Sequence, residues 1–233
     1  MPEGEAENKR ALVVAAHPDD SEFGSAGTAH LWTSQGWEFY YLICTDGSKG
    51  TEDPEMTPEK LVPLRREEQR AAARVAGVKE VFFLDYVDGE LRYTPDLMRD
   101  VVRHIRRVQP YAVFSHDPGQ IVRNLFINHP DHRCAGETAI DAVYPMARNR
   151  PSFPELLKEG LEPFSVKEIY LWTASDSNFE VDISSVLETK FEALREHKSQ
   201  FTDMEGMEQR LRQFWLEPDG RYLERFRRIQ LPF

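Results

Sequence analysis

The sequence predicts an α/β fold, a Rossmann-like three-layer sandwich around a mostly parallel sheet. Three observations carry this reading. Short runs such as ALVVAA (Ala11–Ala16) and FYYLIC (Phe39–Cys44) are almost wholly apolar, as strands covered on both faces are. Helix-like segments alternate with them, and that alternation implies crossovers between parallel neighbours. With 233 residues, 40% hydrophobic and 30% charged, the chain has the size and balance of a globular protein with one core. A single domain over 1–233 is expected.

The elements follow in order. After a polar tail at 1–10 comes the first strand, Ala11–Ala16. A Gly/Ser-rich turn leads to a helix at Thr28–Ser34. The second strand, Phe39–Cys44, stops at Thr45-Asp46-Gly47, and Ser48–Pro63 reads as a loop because it carries Gly, Pro, Thr and Glu. Leu64–Ala76 is a strong helix ended by Gly77. Val81–Leu84 is the third strand, followed by a loop through Tyr93. Pro95–Val108 is a helix with proline in its first turn. Tyr111–Ser115 is the fourth strand, and a loop leads to a helix at Arg133–Ala147. Asn149–Pro163 holds three prolines and reads as irregular. Glu168–Thr173 and Phe179–Ile183 read as strands. Ser185–Gln200 reads as a helix capped by Ser184 or Ser185. The tail Phe214–Phe233 is aromatic and basic, and 201–233 is expected to pack on the body or on a neighbouring subunit.

Composition excludes several classes. A formal net charge of -11 repels phosphate backbones, so nucleic acid is not an expected partner. No apolar run is long enough to cross a bilayer. The start, MPEGEAENKR, has no basic region followed by an apolar one, which points to the cytoplasm. Cys44 and Cys134 form no C-x-x-C pair, so a cysteine-based zinc site is not expected.

In open parallel sheets, ligands bind beyond the carboxyl ends of the strands. His17-Pro18-Asp19-Asp20 lies just past the first strand and Asp46 past the second. Asp85 and Asp88 follow the third. His116, Asp117 and His129-Pro130-Asp131-His132 follow the fourth. The polar residues thus converge on one rim. Catalytic zinc sites use three nitrogen or oxygen ligands and keep a fourth position for water. His17 and Asp20 face one point from a single turn, and His132 closes the set. Asp19 is left as general base and His129 to protonate the leaving group or steady an oxyanion. Asp131 is placed to orient His129. Taken singly, a His or Asp at a strand end is more often a turn former, cap or hydrogen-bonded structural residue. Two clusters on one rim reverse that weighting.

AAHPDDSEFGSAGT (Ala15–Thr28) together with HPDHR (His129–Arg133) resembles the LmbE-like, or PIG-L, family of zinc-dependent N-deacetylases. TDGSKG (Thr45–Gly50), LRREEQRAAARVAGV (Leu64–Val78) and VDISSVLETKFEALREHKSQ (Val181–Gln200) support it. The resemblance spans about Ala11 to Gln200. It implies His17, Asp20 and His132 as ligands of one Zn2+ per chain, with Fe2+ as the other candidate. It implies Asp19 as base, His129 at the oxyanion or leaving amine, and Arg65 as a substrate contact. A solvated surface position is the competing reading of Arg65. His197, in the family-like EHKSQ stretch, has a supporting or helix-end role open to it. The implied reaction is removal of an N-acetyl group from an amino sugar or its conjugate, with a thiol-conjugate or other non-sugar amide as the alternative. Relatives form trimers or hexamers, and a homo-oligomer is expected. Phe214, Trp215, Tyr222, Phe226 and Phe233 need burial somewhere.

Three other readings compete. A nucleotide-binding Rossmann module is disfavoured because HPDD stands where G-x-G-x-x-G would follow the first strand. A serine hydrolase lacks its G-x-S-x-G elbow. An inactive metal-binding relative would not be expected to keep Asp19 and His129 beside all three ligands.

Overall fold

A computed structural model describes residues 8–123 and 126–232. The expectations for the tail's first seven residues, for Phe233 and for the loop at 124–125 fall outside them. The elements are β1 (Arg10–Ala15), α1 (Asp20–Thr33), β2 (Glu38–Thr45), α2 (Pro58–Val75), β3 (Glu80–Tyr86), α3 (Pro95–Val108) and β4 (Ala112–His116). A two-stranded hairpin follows, β5 (Val122–Arg123) and β6 (Phe126–Ile127). Then come α4 (Pro130–Asp141), α5 (Pro154–Lys158), β7 (Glu168–Trp172), β8 (Phe179–Asp182), α6 (Leu187–Arg195), α7 (Met204–Trp215) and β9 (Leu223–Gln230).

Seven strands form one mixed sheet in the order β3-β2-β1-β4-β7-β9-β8. The first five run parallel, and β9 pairs antiparallel with both β7 and β8. The expected mostly parallel sandwich is therefore present. Side chains alternate along β1: Leu12 and Val14 face the core under α3 and α4, while Ala11, Val13 and Ala15 face the core under α1 and α6. Burial of both faces explains why ALVVAA carries no polar residue. The strand order reverses between β1 and its neighbour β4, and such a switch point opens a crevice at the carboxyl ends of the two strands.

The helix expected at Thr28 begins at Asp20 instead. The small residues read as a turn serve close packing. A Cβ on Gly24 would lie 2.6 Å from the Trp172 ring, and one on Gly27 would lie 2.7 Å from Ile183. Residues 58–63, expected in a loop, form the start of α2, where Pro58 suits the first turn and Pro63 is tolerated inside. The helix expected to run to Ala147 gives way after Asp141 to a wide turn at 142–146.

The tail was expected to lie against the body or a neighbour. Part of it is a strand within the sheet. β9 carries Phe226, fully buried, and Glu224, which accepts backbone N–H bonds from Gly27 (3.0 Å) and Thr28 (2.8 Å) of α1. Lys190 of α6 completes the joint, with Nζ 2.5 Å from Glu224 and 2.8 Å from the Phe23 carbonyl. Breaking a buried pair leaves the surviving charge without compensation. Glu224→Ala should therefore cost about 3–5 kcal/mol of stability, read as a lower midpoint in denaturant unfolding. A midpoint equal to wild type would show that the joint fastens nothing.

Candidate active site

The loops after β1, β3 and β4 meet at the switch point. His17 Nδ1 is 3.2 Å from Asp20 Oδ2 and 3.3 Å from His132 Nε2, and His132 Nε2 is 3.1 Å from Asp20 Oδ1. Zinc bonds of about 2.0–2.1 Å in a tetrahedron place neighbouring ligand atoms roughly 3.3 Å apart. Two imidazole nitrogens and a carboxylate with these separations fit one face of such a site. The described residues hold three further sets of potential donors that share residues with this one, His17-His129-His132, Asp20-His116-His132 and His17-Asp88-Asp131.

Asp131 is not where the spacing placed it. Its carboxylate meets His17, with Oδ2 at 3.1 Å from Nε2, and only its backbone N–H reaches His129, at Nδ1. The reason is local: His129 caps α4 and accepts that N–H, while the Asp131 side chain turns back toward β1. The Gly89 N–H at 2.7 Å and the Leu91 N–H at 3.2 Å hold the carboxylate there. Asp88 adds a second carboxylate 3.2 Å from His17 Nε2. A carboxylate on the far nitrogen fixes the ring and leaves Nδ1 for a metal. Burial pulls the His17 pKa down, but Asp131, Asp20 and Asp88 outweigh it and push it up to about 12. Burial pushes Asp20 up, yet His132 and His116 hold it well below the usual carboxylate range. His116 stacks on His132 with ring centroids 4.2 Å apart and lies 3.4 Å from Asp20, and burial lowers its pKa to about 4.

Asp19 sits in the left-handed region, φ 98°, at the N-terminus of α1. Its side chain is not spent on capping, which leaves the carboxylate to line the cleft. Burial pushes its pKa up to about 6, with Arg65 pulling the other way. Arg65 is 3% exposed, which removes the solvated reading. It donates to the Pro18 carbonyl (2.7 Å), the Gly47 carbonyl (3.0 Å) and Asp19 Oδ2 (3.3 Å). His129 accepts the Asp131 N–H on Nδ1, so its neutral ring carries the proton on Nε2. Burial, then His17 and His132, lower its pKa.

All seven residues singled out in the sequence lie here, and all but Asp131 line one cleft of about 920 Å³. Its outer part is lined by Phe214, Trp215, Glu217 and Arg225. Phe214 is 81% exposed, while Trp215 packs on Phe191 with ring centroids 5.6 Å apart. Roles for Asp88, His116, Glu22 and Gln69 did not emerge from the sequence. The first two were visible only as members of the rim.

The comparisons with known proteins agree with this architecture. The family model described as PIG-L, GlcNAc-PI de-N-acetylase, matches residues 12–143. Diacetylchitobiose deacetylase of Thermococcus kodakarensis is 38% identical over 196 residues, covering 84% of this chain and 71% of that one. A probable N-acetyl-alpha-D-glucosaminyl L-malate deacetylase 2 of Bacillus anthracis is 28% identical, covering 83% and 82%. The structure of N,N'-diacetylchitobiose deacetylase from Pyrococcus horikoshii, complexed with its inhibitor MPG, superposes with a TM-score of 0.87 at 34% identity, over 96% of this chain and 85% of that one. With that match over more than half of its length and these relatives, the chain belongs to the PIG-L family.

Proposed function

We propose that the chain is a metal-dependent hydrolase that removes the N-acetyl group from an amino sugar or its conjugate, with Asp19 as general base. The observation that carries this is the three-ligand face of His17, Asp20 and His132 opening on a cleft that Asp19 and His129 also line. Deacetylases of amino sugars among the relatives support the substrate class.

Zinc bound there would lower the pKa of a water and polarise the amide carbonyl. Asp19 takes the proton of the attacking water as oxygen adds to the acyl carbon. Arg65 occupies Oδ2 of Asp19 and leaves Oδ1 for that proton. His129, neutral and protonated on Nε2, donates to the developing oxyanion. The C–N bond then breaks, the nitrogen takes up the proton, and acetate and a free amine leave. Asp131 and Asp88 keep the His17 ring oriented throughout.

The cleft is larger than an acetamido sugar alone needs, and its outer aromatic lining suits the apolar face of a further ring or aglycone. Trp215→Ala should raise KM about tenfold and leave kcat within about twofold, the pattern of uniform binding. An unchanged KM would place the substrate elsewhere. The reading as a whole is tested by screening N-acetyl amino-sugar conjugates with zinc-loaded protein for released acetate or amine. Absence of a stoichiometric transition metal, with no activation on adding one, would defeat it. Release of amine only from a thiol-conjugate or other non-sugar amide would move the substrate class.

A further inference from the structure

Behind Asp19 lies a buried polar chain, Gln69, Glu22 and His197, whose members neither belong to the ligand face nor line the cleft. Gln69 is fully buried on α2, one turn after Arg65. Its Oε1 accepts the Asp19 backbone N–H at 2.9 Å. Its Nε2 donates to both oxygens of Glu22, at 3.0 and 3.1 Å. Glu22 is fully buried, and its Oε2 lies 3.1 Å from Nε2 of His197, also fully buried. Only one orientation of the Gln69 amide satisfies this chain, because a backbone N–H needs an acceptor and a carboxylate needs a donor.

Burying a carboxylate, an amide and an imidazole together is costly unless each is paired. The expense falls at one particular backbone unit. Asp19 is a non-glycine residue at φ 98°, a conformation that persists only where neighbours over-determine it. Arg65 holds the carbonyl before Asp19 and Gln69 holds its N–H. Positions i and i+4 of α2 share a face, so both grips come from one helix. The geometry points to Gln69, backed by Glu22 and His197, as a positioning residue: it clamps the strained Asp19 peptide so that the carboxylate faces the attacking water rather than the metal. This rests on the deacetylase reading above.

The test exchanges the two partners. Gln69→Leu removes the acceptor for Asp19. Gln69→Glu keeps an acceptor but sets a second carboxylate against Glu22. The double variant Gln69→Glu/Glu22→Gln restores acceptor, donor and net charge with the roles reversed. Each single variant should lose about 10- to 100-fold in kcat, the range seen when groups that orient a site's residues are removed, with KM and zinc content near wild type. The double variant should recover most of that loss, and hydrogen exchange at the Asp19 amide should be faster in Gln69→Leu. Where Gln69→Leu fails to fold, the comparison of Gln69→Glu with the double variant still decides. A wild-type kcat in Gln69→Glu, or a double variant no better than the singles, overturns the clamp. No acetate release by zinc-loaded wild type from any N-acetyl amino sugar overturns the deacetylase reading, and the clamp with it.

Discussion

Asp19→Asn is expected to keep its metal and lose roughly two to four orders of magnitude in turnover, the usual worth of a general acid–base group. Asparagine preserves the shape and still accepts from Arg65, but it cannot take the proton of the water. Asp20→Ala is the contrast: one corner of the ligand face disappears, and metal content should fall with activity. Zinc and turnover measured on the same preparations separate the two roles. An Asp19→Asn protein as metal-depleted as Asp20→Ala, or as active as wild type, reverses the assignment within HPDD.

The buried position of Asp19 adds a sign. Its pKa is raised from 3.8 to about 6, so the folded state favours the protonated form. That contribution to stability is present at acid pH and is lost as pH rises from about 4 to about 6. With Asp19 as the proposed base, the rate profile should rise on its acidic side as that carboxylate loses its proton. Metal-free Asp19→Asn, which has no charge to bury, should unfold at neutral pH at a temperature equal to or above that of the metal-free wild type.

The parts of this site that were legible in the sequence are those that topology alone collects. Residues just past β1, β3 and β4 must meet at one rim, so His17, Asp20 and His132 could be grouped before any coordinates. The partner of Asp131 could not, because a helix cap decides it: His129 spends Nδ1 on a backbone N–H, and the carboxylate is free to turn toward His17. Gln69 and Glu22 were illegible for another reason, and His197 was visible only as a supporting or helix-end candidate. The three meet only through the packing of α1, α2 and the turn after α6, and nothing in their spacing encodes it. That part of the tail is a strand was not read from the sequence, because β9, LERFRRIQ, mixes cations with apolar residues. It lies near the sheet's edge, where Arg228 pairs with Glu168 and Arg225 with Glu180 and Glu217, so charge and strand are compatible there. The glycines of α1 read as a turn because a close approach and a bend leave the same mark in a sequence.

Removal of the metal should abolish turnover and convert His17 from a ligand into a cation. Nδ1 of His17 lies 3.2 Å from Asp20, and Nε2 lies 3.1 Å from Asp131 and 3.2 Å from Asp88. Burial works against a charged ring, but these three carboxylates outweigh it and raise its pKa to about 12. A metal ligand must be unprotonated, so each zinc that binds His17 displaces a proton. Zinc affinity should therefore rise about tenfold per pH unit through neutrality, and calorimetry in buffers of different ionisation enthalpy should find about one proton released per zinc. The stability of the metal-free protein runs the opposite way. A raised histidine pKa contributes fully below about 6.5 and is lost progressively as pH rises toward the folded value. The zinc-induced rise in Tm should consequently widen from pH 6 to pH 8. Asp131→Asn takes a charge and the ring's orienting partner from Nε2, so it should weaken zinc by about 10- to 100-fold. Zinc uptake that is independent of pH, releases no proton and is indifferent to Asp131→Asn would mean that the metal does not sit on His17.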